Sequence, residues 1–366
     1  MWWESRQSKV LVNQRAPPEW LEEASRLLLC FSELHSHVWI ATSGSSGKSK
    51  WVALSQEAIL LSAQSVNDHL SSSSTDIWFH SLPEWHVGGL AIWARAFLSK
   101  AAVVKDRGEK WNPDSFCQQI EESKATLTSL VPTQVYDLVE RQMRAPSSLR
   151  AVVVGGGMLS DAYYAAGVKL GWPILPSYGL TECASQVATA ELGSDLLQER
   201  RLKVLPHVAI RHEPDFPIAL KSRALLTGYA VMQEGHFAFI DPKKEGWFQT
   251  EDLADFRFPY LYPLGRQDNL IKIGGEKVSI ERLEGILDLL KVKYRPPGDL
   301  ALIAVPDERL SYVMHLLATQ ESIKLKKVVA EFNSSVFPYE RIREQRMCLQ
   351  LPRTALGKRL QKTTRE

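Results

Sequence analysis

The chain has 366 residues, enough to bury a large core and to divide into two domains. Its 44 basic and 42 acidic side chains leave a formal charge of +2, which excludes a global electrostatic case for nucleic acid or an anionic membrane surface. A hydrophobic content of 45% with 11 tryptophans excludes a disordered chain. Cys30, Cys117, Cys183 and Cys348 are too scattered for a zinc spacing or a disulfide framework. The first residues, Met1-Trp2-Trp3-Glu4-Ser5-Arg6, lack an apolar signal core, and no run approaches the roughly 18 apolar residues that cross a bilayer. The expectation is a cytoplasmic protein with no nucleic-acid partner and no membrane insertion.

In chain order, Trp20, Ala24, Leu27, Leu28 and Phe31 recur at helical spacing behind Pro17, so an amphipathic helix is predicted over 17–32. Apolar runs at Val38-Ile40, Ile77-His80, Ala101-Val104, Thr126-Leu130 and Ala151-Val154 then alternate with segments of helical length, the pattern of a helix-covered, largely parallel sheet. The serines 71–74 read as a loop. After about Val204 the pattern changes to shorter β pieces with turn residues, and the domain junction is expected near Gln267. The predicted class is α/β. A large domain over 1–266 combines the parallel sheet with a β-rich portion, and a small α+β domain over 267–366 contains strands near Ala301-Val305 and Tyr312-Leu317.

The segment Thr42-Ser43-Gly44-Ser45-Ser46-Gly47-Lys48-Ser49-Lys50 follows an apolar strand. Glycines admit an anion close to the backbone, hydroxyls and N–H groups donate to it, and lysine offsets its charge, so the chemistry suits phosphate. A flexible Ser/Gly turn is the plain alternative. A Walker A loop requires glycine where Thr42 stands, and no serine here has glycines two residues away on both sides, as a hydrolase elbow requires. Four further segments follow: Gly155-Gly156-Gly157 after an apolar strand, Ser177-Tyr178-Gly179-Leu180-Thr181-Glu182, Gly246-Trp247-Phe248-Gln249-Thr250-Glu251-Asp252, and Gly265-Arg266-Gln267-Asp268 running to Gly274-Gly275-Glu276-Lys277. Near the end stands Pro352-Arg353-Thr354-Ala355-Leu356-Gly357-Lys358.

In this order the segments resemble the motifs of the AMP-forming acyl-CoA synthetase and ligase superfamily. Ser49 stands for that family's proline, and Glu251 for a glycine. The resemblance implies ATP and coenzyme A as substrates and Mg2+ as cofactor. Thr42, Ser43, Gly44, Ser45, Ser46, Gly47 and Lys50 would hold the ATP phosphates. Thr181 would contact phosphate and Glu182 would hold magnesium, a sensible duty for one carboxylate because magnesium keeps several waters. Gly155, Gly156, Gly157, Tyr178, Asp252 and Arg266 would surround adenine and ribose. Asp268 would be a hinge, Gly274 and Gly275 would line the route for pantetheine, and Lys358 would be the adenylation lysine.

Leu82-Pro83-Glu84-Trp85-His86-Val87-Gly88-Gly89 resembles the segment that lines the acid pocket in several such ligases. With Arg95 nine residues after His86, and with Ser185 and Gln186 beyond Glu182, it is similar to the branch acting on o-succinylbenzoate in menaquinone synthesis. The resemblance implies a small carboxylic acid as partner, with His86, Arg95, Ser185 and Gln186 around it and Arg95 on its second carboxylate. An exposed arginine on a helix is the competing reading of Arg95. Another acyl- or aryl-CoA ligase, or a noncatalytic nucleotide-binding relative, are the alternative functions. Members of the family carry a longer segment before the phosphate loop, so either a compact variant or a neighbouring subunit, as in a homo-oligomer, is expected to cover the sheet there.

Overall fold

The computed structural model describes every residue except 1, 2, 4, 14, 15, 17, 44–48, 109, 195–200 and 352–366, and leaves the side chains of 43, 49 and 268 undescribed. The chain opens with β1 (Lys9–Leu11), α1 (Pro18–Cys30), β2 (His37–Ser43), β3 (Ser49–Ser55) and α2 (Gln56–Leu70). Strands and helices then alternate through β4 (Ile77–His80), α3 (Val87–Ser99), β5 (Ala102–Lys105), α4 (Pro113–Ser123), β6 (Leu127–Leu130), α5 (Pro132–Glu140), β7 (Ala151–Val154) and α6 (Asp161–Lys169). A β-rich stretch follows with β8 (Ile174–Leu180), β9 (Ser185–Thr189), β10 (Leu202–Val204), β11 (Ala209–Arg211) and β12 (Ala219–Lys221). It continues through β13 (Gly228–Gln233), β14 (His236–Ile240), β15 (Phe248–Gln249), β16 (Asp252–Arg257) and β17 (Tyr260–Arg266). The last part holds β18 (Leu270–Ile273), β19 (Glu276–Ser279), α7 (Ile280–Tyr294), β20 (Leu300–Asp307), β21 (Ser311–Ala318), α8 (Ile323–Ser335) and β22 (Ile342–Met347).

The central sheet has the order β16-β17-β10-β9-β8-β7-β6-β4-β5. Its half from β8 to β5 is parallel, and from β8 onward toward β16 every pairing is antiparallel. The parallel half is the one expected from the apolar runs. The change of texture comes earlier than Val204, at β9, where Ser185, Gln186 and Thr189 interrupt the apolar pattern. The strands Leu127–Leu130 and Ala151–Val154 are buried along their whole length, as strands covered by helices on both faces must be. Helix starts are fixed by side chains accepting backbone N–H groups. Ser55 caps α2, Asn112 caps α4, Ser279 caps α7 and Ser322 caps α8.

The second sheet, β1-β2-β3-β13-β14, alternates strictly. Val38, Ile40, Val52, Leu54 and Tyr229 face the main core, while Trp39, Trp51, Ala53 and Ala230 face the other way onto Trp20, Ala24 and Leu27 of α1 and onto Phe31. Trp51 Nε1 also donates to Glu23 of α1 at 2.7 Å. The predicted amphipathic helix therefore covers the outer face of this sheet within the chain itself, each fully buried large side chain contributing about 1.5–3 kcal/mol.

Residues from Ile271 to Ile342 enclose a separate apolar core around Leu283, Leu302, Leu316 and Phe332. This small unit rests on the large one where α7 meets α6. Lys291 of α7 is 3% exposed, with its ammonium 3.0 Å from Asp288 and over the rings of Tyr136 and Tyr163 at 4.5 and 5.6 Å. Among the described residues, no helix is long and apolar enough to cross a membrane.

Candidate active site

Because β4, β6, β7 and β8 run parallel, their carboxyl ends share one edge, the place where open α/β sheets offer a ligand crevice. The ends are stitched sideways. Ser81 Oγ donates to Ser129 O, Gly155 N to Leu130 O at 3.2 Å, and Ser177 Oγ to Val154 O at 3.1 Å. A Cβ on residue 155 would lie 2.8 Å from Ser177 Oγ, so the first glycine of the triplet is set by this crowding, whereas Gly156 supplies a left-handed turn at φ +81°. Gly157 approaches the ring of Pro132.

Past β8 the chain must reverse into β9 within a few residues. It does so through a bulge between Tyr178 and Gly179, a 310 turn at Thr181–Cys183, and two left-handed residues, Ala184 at φ 49° and Ser185 at φ 101°. A Cβ on residue 179 would approach Ser185 O to 1.8 Å, which is why glycine follows Tyr178. Strained backbone of this kind costs about 1–3 kcal/mol per residue and is held by its surroundings. Here Glu182 O accepts from Leu226 N at 2.8 Å.

Three predicted nucleotide residues are brought together. The Tyr178 hydroxyl donates to Asp252 Oδ2 at 2.7 Å, and Arg266 Nη1 lies 3.6 Å from Asp252 Oδ1, the two residues being cross-strand partners at the ends of β16 and β17. Burial and the adjacent Asp252 carboxylate push the Tyr178 phenol well above its ordinary range, so it stays a donor. Arg266 also pairs with Glu251. Residue 251 has no positive φ, so glutamate in place of glycine is accommodated without strain.

Glu182 belongs to a second group. Its Oε1 accepts the Tyr229 hydroxyl at 2.9 Å, and Lys50 Nζ sits 4.4 Å from the centre of the Tyr229 ring. Lys50 and Thr42 face each other at the loop end of the β2–β3 hairpin, where Thr42 Oγ1 donates to Lys50 O at 3.2 Å. Gly44, Ser45, Ser46 and Gly47 of the predicted phosphate loop and Lys358 lie outside the described residues, as do the side chains of Ser43 and Asp268.

On the acid side, the exposed-helix reading of Arg95 is corrected: it is 2% exposed in the interior of α3. Its Nη1 is 3.5 Å from Ser129 Oγ, its guanidinium lies over Trp78 at 5.5 Å, and its Nε has no hydrogen-bond partner among the described residues. Burial pushes it down to about 9, leaving it charged at neutral pH. A buried charge with no carboxylate beside it among the described residues costs several kcal/mol, so the position suits an anion. Gln186, 3% exposed on β9, donates to Thr189, while its Oε1 has no partner among the described residues. β9 packs on α3. His86 stands at the N-cap position of α3 without a side-chain capping bond, and the loop before it lies so close that a Cβ on residue 89 would meet Pro83 O at 2.1 Å.

Gly274 and Gly275 form the two-residue turn between β18 and β19, both at positive φ (61° and 93°), the type I′ hairpin that glycine favours. No hydrogen bond among the described residues joins them to the strand-end groups; Gly274 N donates to Leu310 O within the small unit. Asp268 sits in the 310 turn Gln267–Asn269 that connects the two units. Sequence reasoning missed Tyr229, Ser129 and Trp78. The pair Gly228-Tyr229 carried a signal: a Cβ at 228 would strike the Phe239 ring at 2.5 Å, so a glycine opening a strand marked a close approach beside the site.

A helix-covered sheet, parallel through one half and antiparallel through the other, makes this an α/β protein, and residues 26–211, more than half of the chain, match the family described as AMP-binding enzyme; the chain belongs to that family. Among curated relatives, the 2-succinylbenzoate–CoA ligase of Enterococcus faecalis is 25% identical over 338 residues, covering 87% of this chain and 66% of that protein. The enzyme of the same description from Bacillus cytotoxicus is 31% identical over 270 residues, covering 70% and 55%. The chain thus spans less than two thirds of the length of these relatives. Among solved structures, the o-succinylbenzoate CoA synthetase of Bacillus subtilis with its acyl-adenylate intermediate superposes with a TM-score of 0.74 at 24% identity, over 88% of this chain and 68% of that one. The same synthetase with ATP and magnesium gives 0.72 at 25% identity, over the same shares.

Proposed function

We propose that the chain activates a dicarboxylic aromatic acid, o-succinylbenzoate, with ATP and transfers the acyl group to coenzyme A. The observation that carries this reading is the pairing of the cluster Tyr178–Asp252–Arg266 with a buried Arg95 that has no carboxylate partner among the described residues. The names of the relatives, 2-succinylbenzoate–CoA ligases, agree with it.

A carboxylate oxygen of the acid attacks the α-phosphorus of ATP. The bond from that phosphorus to the bridging oxygen breaks, and pyrophosphate leaves. Asp252 and Arg266 hold the ribose, Lys50 and the hydroxyls and N–H groups of the loop 42–50 draw charge from the leaving phosphates, and Arg95 grips the second carboxylate. Lys358 reaches the reacting phosphate in this half-reaction. The residues fit a magnesium ion entering with the nucleotide. Glu182 offers an oxygen, Oε2, without a hydrogen bond among the described residues, and one carboxylate is enough for an ion that keeps its waters and phosphates. Magnesium when bound supplies neutralisation of phosphate charge. In the second half-reaction the small unit turns about Gln267–Asn269, withdrawing Lys358. The thiol of coenzyme A, losing its proton, enters past Gly274–Gly275 and attacks the acyl carbonyl, and the bond to AMP breaks.

The test is acid-dependent exchange of labelled pyrophosphate into ATP. Exchange with o-succinylbenzoate and not with benzoate is expected; silence with every carboxylic acid overturns the reading.

A further inference from the structure

Tyr229 touches two groups of opposite charge at once. On β13 it faces Val52 of β3, so Lys50, two residues along on the same face, is its diagonal neighbour, the arrangement that brings a long side chain over a ring. The Lys50 ammonium is 4.4 Å from the ring centre, while the phenol hydroxyl donates to Glu182 Oε1 at 2.9 Å. Tyr229 is 7% exposed and cannot swing away without leaving the core. Glu182 and Lys50 are thus within the reach of one side chain, yet among the described residues neither pairs with the other. With the carboxylate held at the hydroxyl and the ammonium over the ring face, the two opposite charges have separate seats, whereas free to meet they would neutralise each other.

We infer that Tyr229 is a positioning residue that keeps Glu182 and Lys50 apart. Its hydroxyl occupies one carboxylate oxygen and turns the other toward the metal, and its ring seats the ammonium where a phosphate meets it. The inference rests on the reading of this site as one for magnesium and ATP. It divides the two ligand contacts between two parts of one side chain, which makes them separable.

The experiment is calorimetric binding of ATP to the full chain, once with magnesium and once in EDTA, for the native protein, Tyr229→Phe and Tyr229→Leu, with thermal melts as a control of folding. Tyr229→Phe keeps the ring and loses the hydroxyl. It is expected to bind magnesium-ATP about tenfold more weakly and metal-free ATP unchanged, as follows from losing a hydrogen bond to a charged group. Tyr229→Leu loses both parts and is expected to weaken both forms. Equal weakening of both forms by Tyr229→Phe, or no effect on either, overturns the proposal, because a merely structural hydroxyl does not distinguish the metal. A native protein that binds ATP equally with and without magnesium sinks the reading of the site itself. Should the leucine variant not fold, the phenylalanine variant decides alone.

Discussion

Tyr178, Asp252 and Arg266 are already bonded to one another, whereas Arg95 and Gln186, across the same strand ends, keep polar atoms with no partner among the described residues. The difference follows the sheet. On the antiparallel half, β16 and β17 are direct neighbours, so cross-strand residues meet and satisfy each other before any ligand arrives. Arg95 and Gln186 come from α3 and β9, a helix and a strand that approach without backbone pairing, so no ladder register brings their polar atoms a partner. The first group is therefore held in place by its own contacts. The other holds a desolvated cation whose cost is recovered only with an anion present.

The largest expected effect tests the unsatisfied side. Arg95→Met should lower kcat/KM for the dicarboxylic acid by about two orders of magnitude, the cost of losing a buried carboxylate partner, while leaving the thermal midpoint unchanged or raised, because an apolar side chain replaces a buried charge. A lowered midpoint with unaltered acid preference would show Arg95 to be structural. Next, Asp252→Ala should weaken ATP binding by about thirtyfold in calorimetry and also lower the melting temperature, since it leaves Tyr178 and Arg266 without their shared acceptor. Tyr178→Phe is smaller, about fivefold on ATP, because the ring remains.

The smallest effect on ligands is expected at Asp76, far along the sheet at the amino end of β4. Burial opposes ionisation there, but the guanidinium of Arg150, the Ser73 N–H and the Thr126 hydroxyl outweigh it and hold the carboxyl at about 2. A carboxyl lowered on folding contributes stability that is present above its unfolded value near 4 and is lost as pH falls through about 2. Denaturant titrations between those values should show a shallower pH dependence for Asp76→Asn than for the native chain, with ATP affinity at neutral pH unchanged. A change in ATP affinity would mean that the two ends of the sheet are not independent.

The sequence made the parallel half legible because strands buried on both faces read as short apolar runs. Ile77–His80 and Ala151–Val154 coincide with those runs residue for residue. The antiparallel half was less legible, since β9 buries polar residues and β16 carries polar residues and lies half exposed. Local motifs singled out Tyr178, Asp252 and Arg266; the neighbouring strands β16 and β17 join Asp252 to Arg266, while Tyr178 reaches Asp252 from β8, 74 residues away in the chain. Tyr229 was not legible. Its partner Glu182 is 47 residues away in the chain, and nothing local announces such a contact. The burial of Arg95 was legible in principle. The helix Val87–Ser99 is apolar nearly all round, and a lone arginine in such a helix has little solvent to face.

Lys291, held between Tyr136 and Tyr163, is a fastening that water can undo. A leucine in that seat would resist departure in proportion to the surface it exposed, at about 25 cal/mol per Å2. An ammonium that leaves gives up ring contacts of roughly 0.5–2 kcal/mol and regains its hydration, which offsets much of that loss. The joint between α6 and α7 is thus held in part by a charge that hydration would take back, which an all-apolar joint lacks.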